Sequence, residues 1–399
     1  MKKIVVMFMA LYSSIYAQNF LKKPMGFDAF LKEAIQKSPY LESSSLGIIQ
    51  AKEQGSALTR YANPNLELEY SQFDPSTAAG GDSDNGYRVS YSQPIRLWSV
   101  GSDKDALSAR MTQRAETSYT QQRAVFTREL SLRFTQYAQQ KMLLVLGDEE
   151  LEIAKTIYDI SKARYDSGTI SRGLMLQSQV DYQSVKIANS SLRLAVNNSY
   201  YELLGFAGIN EEINLETQYS FTIAQNSVEK ENPSLALFKA QQAESLSQAR
   251  VQDNAVEWMN VFAEYESEPE QDITRLGMNF PLAFFNTRSQ EKKIADLEAS
   301  KAELLLDNAS RRLQMQTAQL SKARQVLQAQ KISNEAILET ETELLEMFQE
   351  GYKIANINLL QLQDIKNRVI ETKERLIQIK TALDQNAIIT NYNQGNYNE

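Results

Sequence analysis

The chain has 399 residues, 42% apolar and 23% charged, so it carries enough apolar surface for a packed protein, and its formal net charge of −8 with scattered Lys and Arg argues against a nucleic-acid partner. It has no cysteine and no histidine, which excludes disulfides, thiolate metal sites and thiol nucleophiles and removes the commonest general base and transition-metal ligand. Only 15 Gly and 8 Pro are present, which points to long uninterrupted elements.

At the N-terminus, Lys2-Lys3 precedes an apolar run from Ile4 to Leu11 and then Tyr12-Ser13-Ser14-Ile15-Tyr16-Ala17. This reads as a secretory signal peptide, residues 1–17, cleaved after Ala17. Loss of Lys2 and Lys3 takes the formal charge from −8 to about −10. No later apolar run approaches the about 20 residues of a membrane helix. A chain of this kind spans a membrane only with strands.

Two stretches break the helical pattern, near residues 63–93 and 255–281. In the first, Leu66, Leu68 and Tyr70 alternate with Glu67, Glu69 and Ser71. A loop rich in Gly, Asp and Ser follows (79–86), and then Tyr87, Val89 and Tyr91 alternate with Arg88, Ser90 and Ser92. Period-two alternation around a run of turn formers predicts a hairpin. The second stretch pairs Val256–Glu266 with Ile273–Phe280. Met259, Val261, Ala263 and Tyr265 share one face of its first strand, with Trp258 and Phe262 on the other. Such faces fit a soluble half-buried sheet or a lipid-facing barrel wall; the strands alone do not choose.

Each strand pair ends in a proline-containing exit, Gln93-Pro94-Ile95-Arg96-Leu97-Trp98 and Phe280-Pro281-Leu282-Ala283-Phe284-Phe285. A long helix follows each, about Ser102–Tyr165 and about Ser289–Phe348. Apolar residues recur every seven positions: Leu130, Tyr137, Leu144, Leu151, Tyr158 and Tyr165 in the first, Leu306, Leu313, Leu320 and Leu327 in the second. A seven-residue period predicts left-handed coiled-coil packing. About 60 residues of helix span roughly 90 Å. Each helix reaches a Gly-containing break, at Gly168 and Gly351. A return helix then carries Val180, Ile187, Leu194 and Tyr201 in the first case, and Leu362, Val369, Leu376 and Leu383 in the second.

The two halves, about 27–207 and 221–390, match in order: Ser38-Pro39-Tyr40-Leu41 against Asn232-Pro233-Ser234-Leu235, the Pro94 and Pro281 exits, the Gly168 and Gly351 breaks, then Leu176-Gln177 against Leu360-Gln361. This is a large internal repeat. The Asn-rich tail, 391–399, is expected to be disordered.

Signal peptide, two strand pairs, two proline exits and two aromatic-x-x-Gly turns in this order resemble the TolC-type outer-membrane efflux proteins. The resemblance covers residues 18–390 as one unit. It implies a mainly α fold with a small transmembrane β part: a trimeric β-barrel joined to a periplasmic α-helical barrel, each chain giving four strands. It also implies a non-enzymatic exit duct without cofactors, located in the outer membrane with a large periplasmic part. The partners implied are a homotrimer, a periplasmic adaptor, a proton-driven inner-membrane pump of the resistance-nodulation-division type, and outer-membrane lipid. A periplasmic coiled-coil adaptor or a structural rod is the alternative reading. By the same resemblance the adaptor-contacting tip maps to Tyr165, Gly168, Phe348 and Gly351. Polar contacts closing the tip map to Arg164, Asp166, Arg172, Gln177, Glu350, Lys353 and Gln361, with Tyr352 beside them. Gly at the turns fits a positive φ or a close backbone approach. Where the family often has aspartates on the return helix, this chain has Gln177 and Gln361, with Asp181 and Asp364 out of register. Glu67, Glu69 and Arg88 are the candidate lumen charges of the barrel.

Overall fold

The computed structural model describes residues 24–73, 84–224, 230–354 and 356–397. The expected signal peptide lies outside them, as does part of the loop after the first strand. The described residues form seven helices and four strands. The first repeat contains α1 (Phe27–Lys37), α2 (Pro39–Thr59), β1 (Asn65–Phe73), β2 (Asp84–Arg96), α3 (Trp98–Asp166) and α4 (Arg172–Ala207). The second contains α5 (Pro233–Gln252), β3 (Trp258–Glu268), β4 (Gln271–Asn279), α6 (Ser289–Lys353) and α7 (Leu359–Asn393). The order helix, hairpin, long helix, return helix therefore occurs twice, and α1 is the addition. The long helices exceed the expected bounds: α3 begins at Trp98 and runs 69 residues, and α6 continues to Lys353 over 65 residues.

The chain divides into two compact units. One comprises residues 43–121 and 233–311 and holds the strands. These form one antiparallel sheet in the order β1-β2-β3-β4, so β2 and β3 join the hairpins of the two repeats. Proline is tolerated in β2 because β1 pairing ends at Ser92, two residues before Pro94. Arg96 fastens the strand end. Its guanidinium donates to the carbonyls of Thr59 (2.7 Å) and Arg60 (2.6 Å) and lies 4.5 Å from the Trp258 ring centroid and 5.1 Å from that of Tyr61.

The other unit comprises the residues up to Glu42, 122–232 and 312 onward. Its core is aromatic. Phe27 stands 4.8 Å from Phe134 and 4.9 Å from both Tyr219 and Phe221, above buried Leu130, Leu203 and Leu204. Offset aromatic rings of this spacing attract through edge and face charges as well as burial. The segment after α4 is pinned along this core. Tyr200 OH donates to the Ile213 carbonyl (2.8 Å) and accepts from its amide (2.7 Å), and Asp384 accepts from the Phe221 amide (3.1 Å).

Two expectations change. The tail is ordered from Asn391 to Tyr397 rather than disordered. Asn391 accepts from the Ala224 amide (3.1 Å) and donates to the Thr222 carbonyl (2.8 Å), while Asn393 and Asn396 are buried. Amide side chains that pair with backbone hold a segment whose composition alone reads as solvated. The second change concerns α4. Val180, Ile187, Leu194 and Tyr201 are exposed, and the line facing the core is Ser178, Val185 and Ser199, with Leu192 half-buried. In α7 the expected line does pack: Leu362 and Val369 are buried, Leu376 and Leu383 half-buried.

A charged group lies inside the helical packing. Lys366 of α7 is buried, with its ammonium 3.0 Å from Asp181 of α4 and 3.6 Å from Glu150 of α3. One cation thus joins three helices. Beside it Asp148 accepts from Asn189 and Arg193 of α4, both at 2.9 Å. The preceding Gly147 lets the helices close: a Cβ there would meet Leu192 Cδ1 at 2.6 Å.

Burial raises the Asp384 carboxyl above the usual carboxylate range, against the lowering effects of the Phe221 amide and of Lys380 and Arg324. A raised folded-state value means the native state binds this proton more tightly. Stability from this group is therefore greatest at low pH and falls as pH rises through the folded value. Asp384→Asn keeps the acceptor for Phe221 and removes the charge. The variant is expected to melt higher than the parent at pH 7 to 8, with the gap closing as pH falls through the raised folded value and closed below about 4, followed by circular dichroism.

Candidate functional site

The sheet has two unlike faces. Residues directly opposite in register share a face, and Leu68↔Val89, Val89↔Tyr265 and Ala263↔Leu276 place the apolar residues of all four strands together. Leu66, Leu68, Tyr70, Tyr87, Val89, Tyr91, Tyr265, Leu276 and Met278 are all exposed there, Leu68 at 71% and Leu276 at 80%. Soluble monomers rarely leave so continuous an apolar face in water. The opposite face is charged. Arg88 lies opposite Glu69 and Glu266 and pairs with Glu69 and, at 3.4 Å, Glu67. Arg275 pairs with Glu264 and, at 2.5 Å, Glu266. Glu67, Glu69 and Arg88 thus share one face as expected, and Glu264, Glu266 and Arg275 complete it. The sequence signal for these three was present in the alternation of β3 and β4 but was masked by Trp258 and Phe262. Both aromatics sit on the charged face for local reasons: Phe262 lies opposite Gly277 and its ring fills the space where a Cβ would be, and Trp258 stacks on Arg96.

The two helical breaks are built differently. At the first, Gly168 has φ 75° and its amide donates to the Tyr165 carbonyl (2.9 Å), while the Thr169 amide reaches the Arg164 carbonyl (2.8 Å). A left-handed residue here satisfies helix-end carbonyls, and Ser171 then caps α4. At the second, the chain stays helical through Gly351 to Lys353, so no positive φ is needed. Glycine is required there by proximity: a Cβ would stand 2.5 Å from Ile357 Cγ1. The turn comes after it and closes on a capping box, with Asn358 accepting from the Gln361 amide (2.9 Å) and Gln361 from the Asn358 amide (3.2 Å).

The tip residues are tied together by Tyr352. It is buried, its hydroxyl 2.8 Å from Ser161 Oγ. Arg164 stacks over its ring at 4.6 Å and donates to its carbonyl at 2.9 Å. These bonds link α3 to α6 above a core of Ile157, Leu345, Leu359, Leu362, Ile365 and Val369, on which Phe348 packs. Gln177 donates to Gln363 (3.3 Å), joining α4 to α7. The other expected polar residues act locally or face solvent. Lys353 pairs with Glu350 one turn earlier (2.7 Å), Gln361 belongs to the cap, and Tyr165, Asp166 and Arg172 are exposed. Asp364 pairs with Arg368 of its own helix (3.0 Å). Ser161 and Lys366 were not foreseen. Lys366 was traceable as a cation beside the Leu362, Ile365, Val369 seam; Ser161 carried no signal beyond being small.

Among the described residues no helix is long and apolar enough to cross a membrane. No family model and no curated protein matches the sequence. Solved structures do match. The CmeC outer membrane channel of Campylobacter jejuni superposes with a TM-score of 0.74 at 16% identity, covering 92% of this chain and 85% of that one. CusC, described for transmembrane channel formation, gives 0.78 at 12%, covering 94% and 95%. The outer membrane protein VceC of Vibrio cholerae gives 0.75 at 13%, covering 92% and 95%. This is the fold of the outer-membrane channels. The channel fold accounts for the uncommon pairing of a small two-faced sheet with paired helical hairpins on the same chain.

The tip geometry predicts a graded result. Tyr352→Phe keeps the ring and its contact with Arg164 but removes the hydroxyl bond to Ser161, which keeps its own bond to the Ile157 carbonyl (2.8 Å), at a cost of about 1 kcal/mol. Limited proteolysis is expected to cut between Lys353 and Asn358 faster in this variant, while Lys353→Ala leaves cleavage unchanged.

Proposed function

We propose that this chain is the outer-membrane channel of an efflux or export system, working as a passive exit duct and not as an enzyme. The observation that carries the reading is the sheet, which among the described residues has an uncovered apolar face, a charged face, and β1 and β4 each paired on one side only. In hydrocarbon an unpaired strand edge leaves N–H and C=O groups unsatisfied, so a membrane sheet has to close. Four strands are too few, since closure takes about eight or more. Copies of the chain therefore share one barrel, three of them in this proposal. Strands of 9 to 13 residues fit a tilted crossing of about 9–11 residues. The apolar face then meets lipid, and Glu67, Glu69 and Arg88 face the lumen.

The helical part supports the same arrangement. The stripe Val180, Ile187, Leu194, Tyr201 on α4 is apolar, on a coiled-coil period, and uncovered within one chain. The matching positions of the second repeat are Asp364, Glu371, Gln378 and Gln385. A stripe apolar in one repeat and polar in the other suits packing against a neighbouring copy in a helical barrel. The hairpin turns form the periplasmic tip, with Tyr165, Gly168, Phe348 and Gly351 meeting a periplasmic adaptor. An inner-membrane pump of the resistance-nodulation-division type drives the cargo. The Ser161–Tyr352–Arg164 contacts hold the tip closed, and Gln177 and Gln361 stand where an acidic ring would. A periplasmic adaptor or a coiled-coil rod leaves the exposed apolar sheet face without a use.

Fractionation tests the reading. The protein is expected in the outer membrane as a trimer captured by cross-linking, and a soluble monomeric periplasmic pool would overturn the proposal. Gly168→Glu or Gly351→Glu is expected to abolish export with trimers intact; unchanged export in both removes the tip assignment.

A further inference from the structure

The hairpins of the two repeats correspond residue for residue. In the second strands Arg88 matches Arg275 and Pro94 matches Pro281, with no gap between them. Pairing then matches the first strands. Glu69 stands opposite Arg88 and Glu264 opposite Arg275, so Glu69 matches Glu264, Leu68 matches Ala263 and Tyr70 matches Tyr265.

The junction between the repeats, β2 with β3, has a definite pitch. Leu68 stands opposite Val89 and Val89 opposite Tyr265, whose match in the first repeat is Tyr70. The rung therefore climbs two residues for every two strands. At about 3.3 Å per residue and 4.8 Å per strand, that is about 6.6 Å over 9.6 Å, a tilt of about 35°. Outer-membrane barrels have strands tilted by about 35–45°, so this junction, repeated, has the slope of a closed barrel. Among the described residues the outer sides of β1 and β4 carry no such junction. Leu276 on β4 is 80% exposed, whereas its match Val89, with a strand on either side, is 39% exposed.

We infer that β4 of one copy pairs with β1 of the next in the register that joins β2 to β3 within the chain. This rests on the channel reading of the sheet. Transposing the internal junction sets Leu276 opposite Tyr70 of the next copy, Met278 opposite its Leu68 and Asn279 opposite its Glu67. The first two pairs lie on the apolar face, where every member is exposed in the single chain. The third lies on the charged face, where an amide N–H₂ meets a carboxylate acceptor. A slip of one residue turns the charged side chains of one strand toward lipid. One position separates seam from junction. Arg88 stands opposite Glu266 within the chain. At the seam Arg275 stands opposite Ser71, and it takes both of its carboxylates, Glu264 and Glu266, from its own chain. Neighbour and self share a register but not an ion pair.

Cysteine pairs read the register, because the chain has no cysteine of its own. The full chain carries either Glu67→Cys with Asn279→Cys or Leu68→Cys with Met278→Cys, and is oxidised in outer membranes. Disulfides form between directly opposite residues and not across the longer diagonals. The two pairs are consecutive, so one of them is of the closer, non-hydrogen-bonded kind. They lie on opposite faces, so each covers the other where a variant does not assemble. Expected is loss of the monomer band and gain of a covalent trimer on a non-reducing gel for at least one pair. Single cysteines, and pairs with the β1 cysteine moved two residues either way, stay monomeric. Covalent trimer from a moved pair instead overturns the register and leaves the channel standing. No disulfide from any pair, in membrane protein that an amine-reactive cross-linker captures as a trimer, overturns the seam while the outer-membrane assembly stands. Soluble, monomeric protein overturns both.

Discussion

The structure depends on what an open sheet edge requires. The strands β1 to β4 make one sheet of two repeats, and among the described residues each outer strand is paired on one side only. Among the described residues no helix covers its apolar face, and soluble monomers rarely expose so continuous a patch. In the proposed channel lipid would cover the face but make the edges costlier, because no water remains to satisfy the backbone. On the channel proposal the fold is incomplete as a single chain and is completed by copies of itself. Charge then follows: the carboxylates and guanidinium groups that would be ruinous against lipid are paired on the other face, Arg88 with Glu67 and Glu69, Arg275 with Glu264 and Glu266.

Duplication solves one problem and poses another. In the proposed trimer two hairpins from two repeats supply a third of the barrel's strands, but identical repeats would not tell neighbour from self. The return helices differ where this matters. The α7 seam of Leu362 and Val369 is buried within the chain, whereas α4 presents Val180, Ile187 and Leu194 outward. The tips differ as well. One glycine is needed for its left-handed backbone and the other for the space beside Ile357. Lys366, held by Asp181 and Glu150, fixes three helices in register above the tip. A buried cation with two carboxylates contributes little net stability but strongly disfavours alternatives that leave it unpaired.

Much of this was legible in the sequence. Period-two runs located all four strands, prolines located the exits, and seven-residue lines located the long helices, because each signal is local. The failures share a cause: they depend on what lies across the packing. A heptad line on α4 does not reveal whether its partner is the same chain. Gly351 looks like Gly168 until Ile357 is seen beside it. Trp258 and Phe262 obscured a charged face because Arg96 and Gly277 lie on other strands or exits. The Asn-rich tail read as disordered because its amides pair with the Thr222 and Ala224 backbone, far away in sequence. Tyr352 was visible as a tip residue, but its bond to Ser161 was not.

The central claim is that the two faces of β1 meet different solvents. The absence of cysteine allows a single spin label at each of Leu66, Glu67, Leu68 and Glu69 in the reconstituted protein. The account predicts alternation: labels at 66 and 68 relax with oxygen dissolved in lipid, and those at 67 and 69 with a water-soluble nickel chelate. Equal access of the nickel chelate to all four positions would contradict it.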